Sequence, residues 1–73
     1  MAFAPRDYDL LEGAVAGGAR VVITRRGTPW IVVAQRLTVS NGREVLEARH
    51  PSTGEAMQFL VDEIQRLEVV TRD

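Results

Sequence analysis

The chain has no cysteine and no lysine, a single histidine and only four aromatic side chains. Without cysteine there is neither a disulfide framework nor a thiolate metal site, the two usual staples of small secreted domains, so a reducing compartment, the cytosol, is expected. His50 alone cannot supply the three or four donors that a metal ion needs, and its place before Pro51 at a strand end reads as a turn role. No recognisable spacing joins it to the carboxylates or hydroxyls as acid, base or nucleophile. The expectation is therefore a protein that is not an enzyme and needs no cofactor. Apolar runs such as Trp30 to Val33 fall far short of the ~20 residues that span a bilayer, and no membrane segment is expected. Met1 to Arg6 has neither the basic start followed by an apolar run nor the small-residue cleavage site of a secretory signal.

What remains is an ordinary globular composition. Of 73 residues, 45% are hydrophobic and 26% charged, which suffices for one domain, residues 1–73, with one modest core and no room for a second. Nine arginines against ten acids leave a formal charge of -1, which argues against a strongly basic nucleic-acid binder while allowing local patches.

Helical spacing occurs once, at the beginning. Asp7 is placed to cap a helix running to Ala16, and Asp9 adds negative charge at the positive end of its dipole. Tyr8, Leu11 and Val15 form an apolar stripe, widened by Leu10 and Ala14, with Asp9, Glu12 and Gly13 facing away. Gly17 and Gly18 end it, because a left-handed backbone costs glycine little.

Everything afterwards reads as strands. The first spans residues 19–25, with Val21 and Ile23 on one face, and Arg26 to Pro29 reads as a turn. Residues 30–39 form a long β-branched strand that Gln35 and Arg36 interrupt, which predicts either a strongly bent strand or a bulge near Ala34. Asn41-Gly42 supplies the positive φ angles of a type I′ hairpin leading to a strand over 44–50. After a loop from Pro51 to Glu55 come a strand over 56–61, one helical turn at Asp62 to Ile64 that Asp62 caps, and a last strand over 65–70. Thr71 to Asp73 is expected to fray. One helix, four strands, a one-turn corner and a fifth strand is the order of a mostly β, SH3-like or Sm-like five-stranded barrel with one N-terminal helix.

Two surfaces compete as binding sites. Asp7, Asp9 and Glu12 are acidic, and the spacing of the last two makes them neighbours on the outward helix face. The opposing group is Arg25, Arg26, Arg36 and Arg49, with Arg43 nearby, which would serve nucleic acid if the strands bring them together. Few aromatics are free to stack on bases: Phe59 and Tyr8 read as core, and Trp30 as a half-exposed plug at the barrel rim. A third option is a homo-oligomer, a ring paired through an open edge at 56–61 or 65–70.

The stretch Asp7 to Ala14, DYDLLEGA, resembles the opening helix of the Rho-binding antiterminator family, also called Rof, whose pattern there is approximately YD, one residue, LE, one residue, A. Phe59 to Ile64, FLVDEI, resembles the strand of that family that ends in Asp, a variable residue and Ile. Together the two matches span most of the chain, from Asp7 to about Leu67. The resemblance implies a small Sm-like barrel that binds the hexameric termination helicase Rho and blocks its primary RNA-binding sites. Asp9 and Glu12 would make the contact, Asp7 would support them as cap, and Tyr8, Leu11 and Ala14 would seat the helix. The corner motif is also similar to that of WYL-type regulatory domains, Sm-like barrels that bind nucleic acid or small effectors, which lack the opening helix motif.

Overall fold

The computed structural model describes residues 5–70. Helix α1, Pro5–Gly17, is followed by β1 (Arg20–Arg25), β2 (Thr28–Ser40), β3 (Arg43–Arg49), β4 (Ala56–Leu60), a 3-10 turn over Val61–Glu63, and β5 (Ile64–Val69). The five strands form one antiparallel sheet in the order β4-β3-β2-β1-β5. The fold is thus mostly β with one leading helix, in the predicted element order. Among the described residues β4 and β5 do not pair with each other, so the sheet has two open edges.

The helix begins at Pro5, two residues before the expected cap, which places the Asp7 backbone inside the first turn and not at the N-cap. Proline suits a helix start because its missing amide is one that no intrahelical carbonyl would accept. The Asp7 side chain lies outside the described residues, as does the tail from Thr71 to Asp73. At the other end the Gly18 amide donates to the Val15 carbonyl at 3.3 Å and the Ala19 amide to the Ala14 carbonyl at 2.9 Å. With φ of +63° at Gly18, this is the paired closure that satisfies the last carbonyls of a helix.

The β1–β2 and β2–β3 hairpins each close through two residues of positive φ. Asn41 and Gly42 stand at 54° and 76°, as expected, and Arg26 and Gly27 do the same at 52° and 76°. The second tight turn moves the start of β2 forward to Thr28, so Pro29, expected in the turn, lies in the strand opposite Thr24. The amide that proline lacks faces away from β1 there, and β3 pairs with β2 only from Val33 onward. No ladder hydrogen bond is lost.

Register in β2 shifts between Ala34 and Arg36, leaving Gln35 unpaired against β3. This is the expected bulge, and it has a clear effect on which side chains enter the core. Before it, Val32 and Ala34 are fully buried; after it, Leu37 pairs with the fully buried Leu46 and Arg36 faces out. Without the extra residue the inward phase would place Arg36 in the core. A second irregularity, between Thr24 and Arg25 on β1, leaves Gln65 of β5 out of register. Its side-chain oxygen accepts the Gly27 amide at 2.8 Å, tying the first hairpin to β5.

The core lies between α1 and one face of the sheet. Phe59, Leu11, Ile23, Leu46, Ile64, Val21, Val32 and Val61 are its largest fully buried side chains, and no polar or charged residue is buried among the described residues. Leu10, expected to widen the buried stripe, is instead 46% exposed. The helix packs on β2 and β5 along the narrower line of Tyr8, Leu11, Ala14 and Val15, and Leu10 falls beside Asp9 on the outer side.

Candidate functional site

Helix α1 presents Asp9, Glu12, Gly13 and Ala16 to solvent because the opposite stripe is taken up by the core. Asp9 and Glu12, one helical turn apart, make no hydrogen bond or ion pair with any described residue. Between and behind them stand Gly13 and Ala16, small residues over which a partner can approach the helix closely. The exposed Leu10 adds an apolar contact at the margin. The result is two unneutralised carboxylates on a firmly seated helix, a face suited to charge-assisted hydrogen bonds from guanidinium or ammonium groups.

Tyr8 holds this helix in place. Its hydroxyl donates to Oε1 of Glu44 at 2.6 Å, joining α1 to the start of β3, while its ring rests against the core. Donation to Glu44, then partial burial, then the negative charges of Glu44 and Asp62 push the phenol above its ordinary value of 10. A phenol whose folded-state pKa is raised contributes stability that is complete below the unfolded value and is lost as pH rises through the folded one. Tyr8 is the chain's sole tyrosine, so its phenolate absorbance reports it directly. We expect that absorbance to titrate above the free-tyrosine range and to move back toward it in Glu44→Gln; identical curves for the two proteins would reject the contact.

The arginines are placed differently. The Arg25 guanidinium lies 5.5 Å from the ring centre of Trp30 and 5.0 Å from that of Phe59, a cation–π arrangement against the core. Arg26 is 3.9 Å from Glu63, Arg36 is 3.1 Å from Glu47, and Arg49 donates to the Gly54 carbonyl at 3.0 Å and to Gln35 at 3.4 Å. Arg36 and Arg49 share one shallow hollow with Gln35, Glu47 and Gln58, whereas Arg26 lines another with Asp62, Glu63 and Gln65. Each hollow therefore mixes cations with carboxylates. Trp30 is half-buried, as expected, packs edge-on to Phe59 at 6.1 Å and 66°, and turns its indole nitrogen inward.

Two further expectations concern single residues. Asp62 does not cap the 3-10 turn; both its carboxylate oxygens accept from one nitrogen of Arg43, at 2.9 and 3.1 Å. The pull of a guanidinium on the neighbouring strand outweighs a local cap on a three-residue turn. His50 does organise its turn: Nδ1 accepts the Ser52 amide at 3.1 Å and the Thr53 amide at 3.3 Å, and its carbonyl accepts from Gly54 at 2.9 Å. Both ring-facing amides come from the loop, so the imidazole acts as a scaffold for Pro51 to Glu55. The Tyr8–Glu44 and Arg43–Asp62 contacts were missed by sequence reasoning. A phenol on an otherwise apolar stripe was the available signal for the first, since a half-buried hydroxyl seeks an acceptor.

Compared with known families, with curated proteins and with solved structures, the chain gives no match. No helix among the described residues is long and apolar enough to cross a membrane.

Proposed function

We propose that this chain is a non-enzymatic interaction module whose helix α1 docks on a cationic, nucleic-acid-binding surface of another protein. In the reading suggested by its resemblance to the Rof family, that protein is the termination helicase Rho. The chain then acts in the cytosol as an antitermination factor, covering the sites at which Rho takes up RNA. The open five-stranded sheet with its leading helix is in this reading an Sm-like barrel used as a rigid base for the helix.

The observation that supports this most is the contrast in pairing. Asp9 and Glu12 are exposed without partners among the described residues, while Arg25, Arg26, Arg36 and Arg49 are each engaged within the chain. A surface evolved to receive RNA phosphate offers donors and positive charge, and carboxylates on a preformed helix can occupy it with little loss of conformational freedom.

The test is a competition. Purified chain added to Rho carrying a fluorescent pyrimidine-rich RNA is expected to displace the RNA in a saturable manner, and to bind Rho in its absence. Direct binding of the chain to that RNA, with affinity falling steeply as salt rises, would instead favour the arginine surfaces and a nucleic-acid-binding barrel.

A further inference from the structure

The two edges of the sheet are unlike. β5 carries Arg66 and Glu68, 3.4 Å apart, and α1 packs against it. β4 reads Ala56, Met57, Gln58, Phe59, Leu60, with no charge, proline or glycine. Charged residues, prolines and bulges are how soluble proteins keep an edge strand from pairing, and β4 has none of them within its length. Its nearest charges, Glu55 and Asp62, lie beyond its two ends, and Asp62 is already held by Arg43.

The direction of its backbone groups follows from two independent observations. Ser40 and Arg43 flank a two-residue turn, so Arg43, Val45, Glu47 and Arg49 direct their amides and carbonyls to β2, and the residues between them turn theirs to β4. The His50 amide, donating to the Glu55 carbonyl at 2.9 Å, continues the same alternation. Given the pairs Leu46↔Phe59 and Ala48↔Met57, it is Ala56, Gln58 and Leu60 whose backbones point away from the sheet.

We propose that β4 pairs with β4 of a second copy of this chain, antiparallel about a two-fold axis through Gln58. Outward groups at the first, third and fifth positions of a five-residue strand are their own complement. Gln58 faces its counterpart and exchanges both backbone hydrogen bonds with it, while the Leu60 amide of each copy meets the Ala56 carbonyl of the other. This is the self-matching contact that closed two-fold symmetry requires.

The side chains agree with that register. The two Gln58 amides meet at the axis, each able to donate and accept. Glu47, beside Gln58 on the outer face, is already paired with Arg36 at 3.1 Å, so no unbalanced charge faces its like. On the inner face the half-buried Met57 falls opposite Phe59 of the other copy, extending the core across the axis. A contact limited to one short edge makes the dimer weak and concentration-dependent. It involves none of Asp9, Glu12 or the outer face of α1, so it stands or falls apart from the proposed function.

Sedimentation velocity from micromolar to millimolar chain is expected to show a monomer–dimer equilibrium. Gln58→Pro, which removes an amide that makes no bond within one chain, and Gln58→Lys, which sets two ammonium groups against each other, should each weaken it by at least ~10-fold with the circular dichroism unchanged. The chain has no cysteine, so Gln58→Cys introduces one. Opposed residues in such a pair have Cα atoms about 5.5 Å apart, within disulfide reach, and mild oxidation should yield a covalent dimer much faster than with Arg66→Cys. A monomer at millimolar concentration, equal cross-linking of the two cysteine variants, or assemblies larger than a dimer would overturn the proposal.

Discussion

Asp9→Arg combined with Glu12→Arg is expected, on the proposed docking of α1 on Rho, to weaken that binding by at least ~100-fold, a loss of about 3 kcal/mol, while the fold survives. The stability cost is small because both side chains are exposed and make no contact with any described residue. With α1 starting at Pro5, Asp9 already lies beyond the first turn and Glu12 past the middle of the helix, so neither reversal gives up more than a weak interaction with the helix end. The expected binding cost is large because, in the proposed complex, reversal replaces attraction by repulsion where the two surfaces would meet. Glu55→Arg, on the loop before β4, is the control: it changes net charge by as much as one of the two reversals but lies off the helix, and it should leave capture unchanged. Equal binding by the double variant and its parent, measured by fluorescence anisotropy or calorimetry, would remove α1 from the interface. A loss of the same size in Glu55→Arg would show that overall charge, and not this helix face, governs the association.

The features that could be read from sequence are those set within a few residues. Asn41-Gly42 forces its turn because both positions need positive φ, and once that turn is fixed the register of β3 on β2 follows. Gln35 and Arg36, breaking a β-branched run, signal the irregularity in β2, and the structure shows its purpose, since only an inserted residue keeps Val32, Ala34 and Leu37 on one core side. The outward position of Asp9 and Glu12 was equally legible from helical spacing. Arg26-Gly27 reads as part of a turn, but arginine is a poor advertisement for positive φ and Pro29 reads as a breaker, so the strand begins two residues earlier than the sequence suggests. The carboxylate partners of Arg26, Arg36 and Arg43 were not visible at all. Arg43 and Asp62, or Arg26 and Glu63, meet only after the sheet has brought distant segments side by side, and no local rule anticipates that. The same limit explains Asp62, whose expected local cap gave way to a guanidinium from another strand.

Phe59→Ala should be the most damaging single substitution in the fold, because this ring is fully buried and is shared by three groups of neighbours. It belongs to the cluster that contains Leu11 of the helix, Ile23 of β1 and Leu46 of β3, its edge meets Trp30 at 6.1 Å, and the Arg25 guanidinium stands 5.0 Å above it. Truncation removes the transfer free energy of the ring and leaves a cavity that a sheet pinned by two tight turns cannot easily collapse, at a cost of about 3–5 kcal/mol. A domain of this length has a total stability of about 4–11 kcal/mol, so the variant sits at or near the limit of folding. Arg25 loses the aromatic surface that offsets its partial burial, which adds to the loss in one direction only. Phe59→Leu keeps most of the volume and is expected to cost much less, leaving a cooperative urea transition at a lower midpoint. If Phe59→Ala unfolds within about 1 kcal/mol of the parent, the inner side of β4 is not part of the core, and the placement of Ala56, Gln58 and Leu60 along the open edge fails with it.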